Sequence, residues 1–224
     1  MKKWVEMLAN VGTILVCALI AFSLIAHKTL NIRSVLAETP TRKVEMPLNS
    51  NWYALGRADA SVTIVEFMDL QCPYCRQFER DVLPGLKKEY IETGKLRFIT
   101  MDLPLPIHTY AFDAAEAERC AGEEGKFWQF RTAVLDEQQP PEPSILSKIA
   151  AALNLNSEQF ETCLKSGNYK AVIQANQAAA AGVGIDATPG FVIGRLTGGI
   201  VRGVSVSGAQ PFSFFQREIE TMLK

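Results

Sequence analysis

Apolar residues run almost unbroken from Val62 to Met68, VTIVEFM, and a short continuous run rich in β-branched residues predicts a buried strand. The period then changes. Phe78, Val82, Leu86 and Tyr90 recur at every fourth position, one face of a helix that starts at Cys72 and runs to about Glu92, with a kink at Pro84-Gly85. Lys95 to Met101 predicts a second strand. Strand, helix and strand make a βαβ unit with parallel strands and a right-handed crossover, which places Cys72 at the carboxyl end of a strand, where open α/β sheets put their sites. From Ile107 to about Val183 the pattern is helical alone, over 107–121, 125–137, 145–153, 157–166 and 169–182. The run Gln138 to Pro143 breaks that set, and Ser144 and Asn156 suit helix N-caps. Strands resume over 190–193 and 199–204, and a last helix from about Gln210 carries Phe212, Phe215, Ile219 and Met222 as a core-facing stripe.

Upstream, Leu8 to Ala26 is 19 residues without a charge. As a helix it spans ~28 Å, enough to cross a hydrocarbon core of ~30 Å. Lys2 and Lys3 precede it, so residues 1–7 are expected in the cytoplasm, 8–26 as a single-pass anchor in the cytoplasmic membrane, and the rest on the extracytoplasmic (periplasmic) side. A cleaved signal peptide needs a small-x-small site just after the apolar run; Leu24-Ile25-Ala26 lacks the first small residue and Val35-Leu36-Ala37 comes too late. Cys17 within the run reads as an apolar filler. Residues 27–50 show no sustained period and contain Pro40 and Pro47, a linker to a domain over 51–224. Some 25 flexible residues reach about 28 Å, a tether of roughly one domain diameter.

Composition is that of an ordinary globular chain: 224 residues, 48% hydrophobic and 21% charged, with a net charge of −1. Beyond residue 37 stand 19 basic and 23 acidic residues with no basic run, which argues against nucleic-acid binding.

The candidate chemistry is Cys72-Pro73-Tyr74-Cys75, two thiols at the junction of a strand and a helix. Pro73 fits the first helical position, where a missing N–H costs nothing, and Cys72 is then the N-cap. A thiolate there faces free backbone N–H groups and the positive end of the helix dipole, which lowers its pKa. Cys75, one turn in, is the less exposed thiol, suited to resolving a mixed disulfide formed at Cys72. A zinc site needs a second close pair, whereas Cys120 and Cys163 each stand alone; a purely structural bridge has nothing to staple at such a junction. Redox chemistry, without metal, is the remaining reading.

Glu66-Phe67 through Cys72-Pro73-Tyr74-Cys75, then Cys120-Ala121, Gly125-Lys126-Phe127-Trp128, and Thr188-Pro189-Gly190-Phe191-Val192-Ile193 resemble the DsbA-like thiol:disulfide oxidoreductases of the thioredoxin superfamily. The resemblance covers roughly residues 50–224. It implies an α/β thioredoxin-like fold with a helical insertion at about 107–183, preceded here by the transmembrane helix. It implies a monomer without a cofactor that catalyses disulfide formation in exported proteins. Its substrates are unfolded or reduced exported proteins, and a DsbB-like membrane protein reoxidises it. Cys72 and Cys75 take the catalytic positions, flanking Pro73 and Tyr74. Pro189 takes the position of a cis-proline lying against the cysteines, which leaves the backbone of Thr188 free to pair with an extended substrate. Glu66 matches a buried acid able to relay a proton to Cys75; the alternative is a carboxylate pointing to solvent. Asp69 reads as a local cap, and His108, at a helix start, as a capping or surface residue. Cys120 and Cys163, leftover cysteines near the ends of neighbouring helices, suggest a structural disulfide in an oxidising compartment, with two buried free thiols as the alternative. Cys-Pro-Tyr-Cys also resembles glutaredoxin and the isomerase-like DsbG. A reductase or isomerase in the same compartment therefore stays open, as does a redox-inert tethered chaperone.

Overall fold

The computed structural model describes residues 41–48 and 52–224. The apolar run 8–26 lies outside the described residues; among those described, no helix is long and apolar enough to cross a membrane. The strands are β1 (Arg42–Pro47), β2 (Tyr53–Leu55), β3 (Val62–Met68), β4 (Leu96–Asp102), β5 (Gly190–Thr197) and β6 (Ile200–Ser207). They form one sheet in the order β1-β6-β5-β3-β4-β2. β3 is parallel to β4 and antiparallel to β5, as a βαβ unit joined to a later hairpin requires.

All seven residues of β3 are buried, which is why the strand reads as an unbroken apolar run. Ile64 packs with Phe98, Phe191 and Ile193 on one face of the sheet, against α1 (Pro73–Asp81) and α8 (Phe212–Leu223). Val65, Phe67, Ile99 and Met101 pack on the other, against Ala180 of α7 (Lys170–Gly182) and Met46 of β1. The predicted stripes hold: Phe78, Val82, Leu86 and Tyr90 are all buried, as are Phe215 and Ile219. The helix from Cys72 is interrupted rather than merely kinked. α1 stops at Asp81, α2 (Leu83–Leu86) restarts with Pro84 in its first turn, and a π-helical turn, Lys87–Ile91, completes the segment.

The insertion is helical throughout: α3 (Ala111–Glu123), α4 (Phe127–Asp136), α5 (Pro143–Ala152) and α6 (Ser157–Ser166) precede α7. Their apolar faces meet Met68, Leu70, Cys72 and Cys75 in one core, so the insertion packs directly against the Cys-x-x-Cys segment. Asn156 caps α6, its Oδ1 accepting the Gln159 N–H at 3.0 Å. Ser144 is not a cap; Glu142 holds that position and Pro143 opens α5, the better use of a residue lacking an N–H.

Two strands precede the expected first strand, Val62–Met68, and one of them falls in the expected linker. β1 lies within the stretch expected as linker, 27–50, and pairs antiparallel with β6 along its whole length. Only Val44 and Met46 alternate with charged residues in it, too little local signal; pairing with β6 and burial of Met46 create the strand. β2, three residues long, pairs with β4 at the opposite edge.

Candidate active site

Asp69, at the end of β3, turns the chain into α1. The Cys72 N–H donates to Asp69 O at 3.0 Å, and Asp69 Oδ1 accepts the Gln71 N–H at 2.8 Å. Cys72 is the N-cap of α1 in extended conformation, with Pro73 in the first turn. Both cysteines are free thiols and both are buried, Cys72 to 4% exposure and Cys75 to 1%.

The two differ more in what surrounds the sulfur than in exposure. The Cys72 pKa is lowered to about 6, first by a hydrogen bond from the Cys75 thiol, then, against the opposing effect of burial, by the Thr188 side chain and the backbone N–H groups of Cys75 and Tyr74. As a neutral thiol Cys72 makes no capping bond; its Sγ donates to Thr188 O at 3.3 Å. The Thr188 hydroxyl, buried, then has no partner among the described residues, and is available to donate once the sulfur is a thiolate. Burial pushes the Cys75 thiol well above its ordinary value, and its hydrogen bond to Cys72, the Cys72 charge and the Glu66 charge add to the rise. The Asp69 N–H, 3.5 Å from Cys75 Sγ, acts the other way.

The Thr188–Pro189 bond is cis. Pro189 O accepts the Gly208 N–H at 2.8 Å, which ties the segment after β6 to the loop over Cys72. Between that segment and α1 lies a cleft of about 600 Å³, lined among others by Tyr74, Phe78, Val82, Pro211 and Phe212. Tyr74, beside Cys72, is 60% exposed.

Glu66 does not point to solvent. It is fully buried on the α1 face of β3, opposite Thr100 in the register with β4. Its Oε2 accepts from Arg131 Nη2 and, at 3.2 Å, from Thr100 Oγ1. Burial raises the pKa of its carboxyl, against the pull of the Arg131 charge. Asp69 is a cap, as expected, and more: its Oδ2 also accepts the Leu105 N–H at 2.8 Å and lies 2.7 Å from His108 Nδ1. His108 is therefore half-buried and paired. Cys120 of α3 and Cys163 of α6 form a disulfide, in the insertion and apart from the Cys72 pair.

Sequence reasoning missed the polar groups behind the site. Arg131 of α4 is fully buried, yet its guanidinium is bonded to Glu66, Thr100 and Glu79 of α1. Burial lifts the Glu118 carboxyl of α3 well above the usual range. Asp102 accepts from Arg119 at 2.7 Å and from Asn176 at 2.8 Å, joining β4, α3 and α7. One signal was present: Arg131 lies four residues after Phe127 and three before Val134, on the buried stripe of α4, where an unpaired charge is intolerable.

The family described as Thioredoxin matches residues 49–197. A sodium/proton antiporter, NhaA 3, of Salinispora tropica is 32% identical over 62% of this chain, a match covering 21% of that protein. A Rickettsia typhi chain that bears the name of a protein-disulfide oxidoreductase is 28% identical over 61% of this chain and 52% of its own. This chain thus spans about half or less of those two relatives. The crystal structure of Wolbachia pipientis alpha-DsbA1 superposes with a TM-score of 0.68 at 26% identity, covering 79% of this chain and 92% of that one. A thioredoxin-type sheet, a Cys-x-x-Cys at a helix N-terminus facing a cis-proline, and a helical insertion packed on both sulfurs agree with these matches: the chain belongs to the thioredoxin family, as a DsbA-like member.

Proposed function

We propose that this chain is a membrane-anchored thiol:disulfide oxidoreductase that passes the Cys72–Cys75 disulfide to exported proteins. The observation that carries the reading is the split between two thiols three residues apart, one lowered to about 6 and the other raised well above 9. A thiolate stabilised at neutral pH favours the reduced enzyme, which makes its disulfide an oxidant and Cys72 a good leaving group. The name of the Rickettsia relative points the same way.

A substrate thiolate attacks Cys72 Sγ, the Cys72–Cys75 bond breaks, and the electron pair goes to Cys75, which takes up a proton. A second substrate thiolate then attacks the substrate sulfur of the mixed disulfide, and Cys72 departs as a thiolate. The substrate gains a disulfide and the enzyme holds two thiols. A DsbB-like membrane protein withdraws those two electrons. The exposed ring of Tyr74 and the cleft between α1 and the segment after β6 offer an extended, apolar peptide a seat beside Cys72. Residues 8–26 hold the enzyme, a monomer, at the cytoplasmic membrane with this domain outside, where the Cys120–Cys163 bridge also persists.

Equilibration of the purified domain with glutathione buffers tests the direction. An oxidase is expected near about −120 mV; a value of about −230 mV or lower would make it a reductase.

A further inference from the structure

The proton that Cys75 gains and loses has to be held somewhere, because Cys75 is buried and its thiolate is disfavoured. Glu66 is the carboxylate that acts on Cys75 electrostatically, and its second oxygen, Oε1, is buried with no hydrogen-bond partner among the described residues. The positive charge that pairs with Glu66 comes from the helical insertion. The guanidinium of Arg131 reaches from the insertion helix α4 to the central strand, the neighbouring strand and the helix of the cysteines at once. Nη2 binds Glu66 Oε2, Nη1 binds Thr100 Oγ1 at 2.6 Å, and Nε lies 3.3 Å from Glu79 Oε2. Thr100 closes the ring by donating to Glu66 Oε2 at 3.2 Å. The centroid of the Trp128 ring lies 5.4 Å from the guanidinium carbon, a cation–π contact that adds to its hold.

We infer that Arg131 is a positioning residue for thiol exchange, holding Glu66 ionised and engaged through Oε2 alone, so that Oε1 accepts the proton of Cys75 when the disulfide closes and returns it when the disulfide opens. The inference rests on the exchange reaction proposed above. In closure, the Cys75 S–H bond breaks, its proton passes to Glu66, the Cys75 sulfur bonds to Cys72 Sγ, and the former partner of Cys72 leaves as a thiolate. The charged and titratable groups that act on Glu66 are Arg131 from α4 and Glu79 and Cys75 from α1, while Glu118 from α3 acts on Arg131. Arg131 feels all three acids, so its removal leaves Glu66 a buried carboxylate among acids, which protonates instead.

The test is single-turnover oxidation of the reduced full-length protein by oxidised glutathione, acid-quenched at intervals across about pH 4 to 9, resolving formation of the Cys72 mixed disulfide from its closure by Cys75. Closure by the unmodified protein is expected to fall at low pH along a limb set by Glu66. Arg131→Met should move that limb upward by about one unit or more, Arg131→Lys should hold it near its original place, and Glu66→Gln should abolish it. The double variant Glu66→Gln/Arg131→Met, with no lone buried charge, should behave as Glu66→Gln. A limb unmoved by Arg131→Met, or one that survives in Glu66→Gln, overturns the inference. Should Arg131→Met fail to fold, the infrared carboxyl band identified by its loss in Glu66→Gln decides: in the unmodified protein it should be absent at about pH 7, and its presence there overturns the inference. A protein that forms no mixed disulfide at all would instead refute the exchange reaction itself.

Discussion

His108 Nδ1 lies 2.7 Å from Asp69 Oδ2, and this pair joins the loop after β4 to the turn that presents Cys72. The same carboxylate holds the Leu105 and Gln71 N–H groups, and the Asp69 N–H touches the Cys75 sulfur, so one residue aligns the loop, the turn and the resolving thiol. Asp69→Ala strands three donors, and a cost of about 1–3 kcal/mol is expected. Thermal denaturation should show it, with faster amide exchange at Leu105 and Gln71; unchanged exchange at both would mean the loop is held by other contacts.

Thr188 is poised to stabilise the Cys72 thiolate with a hydroxyl that, among the described residues, has no partner while the sulfur is protonated. Thr188→Val keeps the shape and removes that donor. A hydrogen bond to a charged group contributes about 1.5–3 kcal/mol, so the Cys72 pKa should rise by roughly one to two units and the disulfide should become less oxidising. An unaltered thiolate titration in this variant would show that the hydroxyl does not reach the sulfur.

Glu118 is buried with its pKa raised well above the ordinary value by desolvation, and its Oε1 has no partner among the described residues. Below the unfolded pKa of about 4.3 both states are protonated and the acid adds no pH dependence. Above it the unfolded chain ionises while the folded one does not, so this group's contribution to stability falls as pH rises toward the folded value. Glu118→Gln does not titrate. The melting-temperature difference between Glu118→Gln and the unmodified protein should therefore grow in favour of the variant between about pH 4 and 7. A difference independent of pH would place the carboxylate in water or in a compensating pair.

The Cys120–Cys163 bridge closes a loop with a sequence separation of 43, worth about 4 kcal/mol in the chain-entropy model. Replacing both cysteines by alanine should lower the melting temperature and shift the potential of the Cys72 pair by less than about 30 mV. A larger shift would show that the insertion tunes the pair.

The parts of the fold that the sequence displays are those in which local pattern and burial agree. β3 is buried on both faces and reads as an apolar run; the stripes of α1 and α8 face the sheet and read at helical spacing. β1 does not read, since four of its six residues are polar or proline and its partner lies some 155 residues downstream. The site divides the same way. Cys72, Pro73 and Cys75 act through their place on one helix, which a four-residue motif displays in full. Glu66 was legible only as an acid inside an apolar strand; Arg131, Thr100 and Glu79, which set its state, come from three other elements and are brought together only by packing. His108 looked like a cap because nothing local announces that Asp69, 39 positions earlier, folds against it.

Exchange at this site depends above all on Cys72 being a thiolate at neutral pH, and thiolate absorbance of the reduced protein against pH measures that directly. A first titration with a midpoint of about 6 is expected, absent in Cys72→Ser, shifted upward in Cys75→Ala because the hydrogen bond from the Cys75 thiol is lost, and largely retained in Cys75→Ser. A midpoint at the free-thiol value of about 8.5, or a low one that survives in Cys72→Ser, would contradict the assignment of Cys72 as the nucleophile.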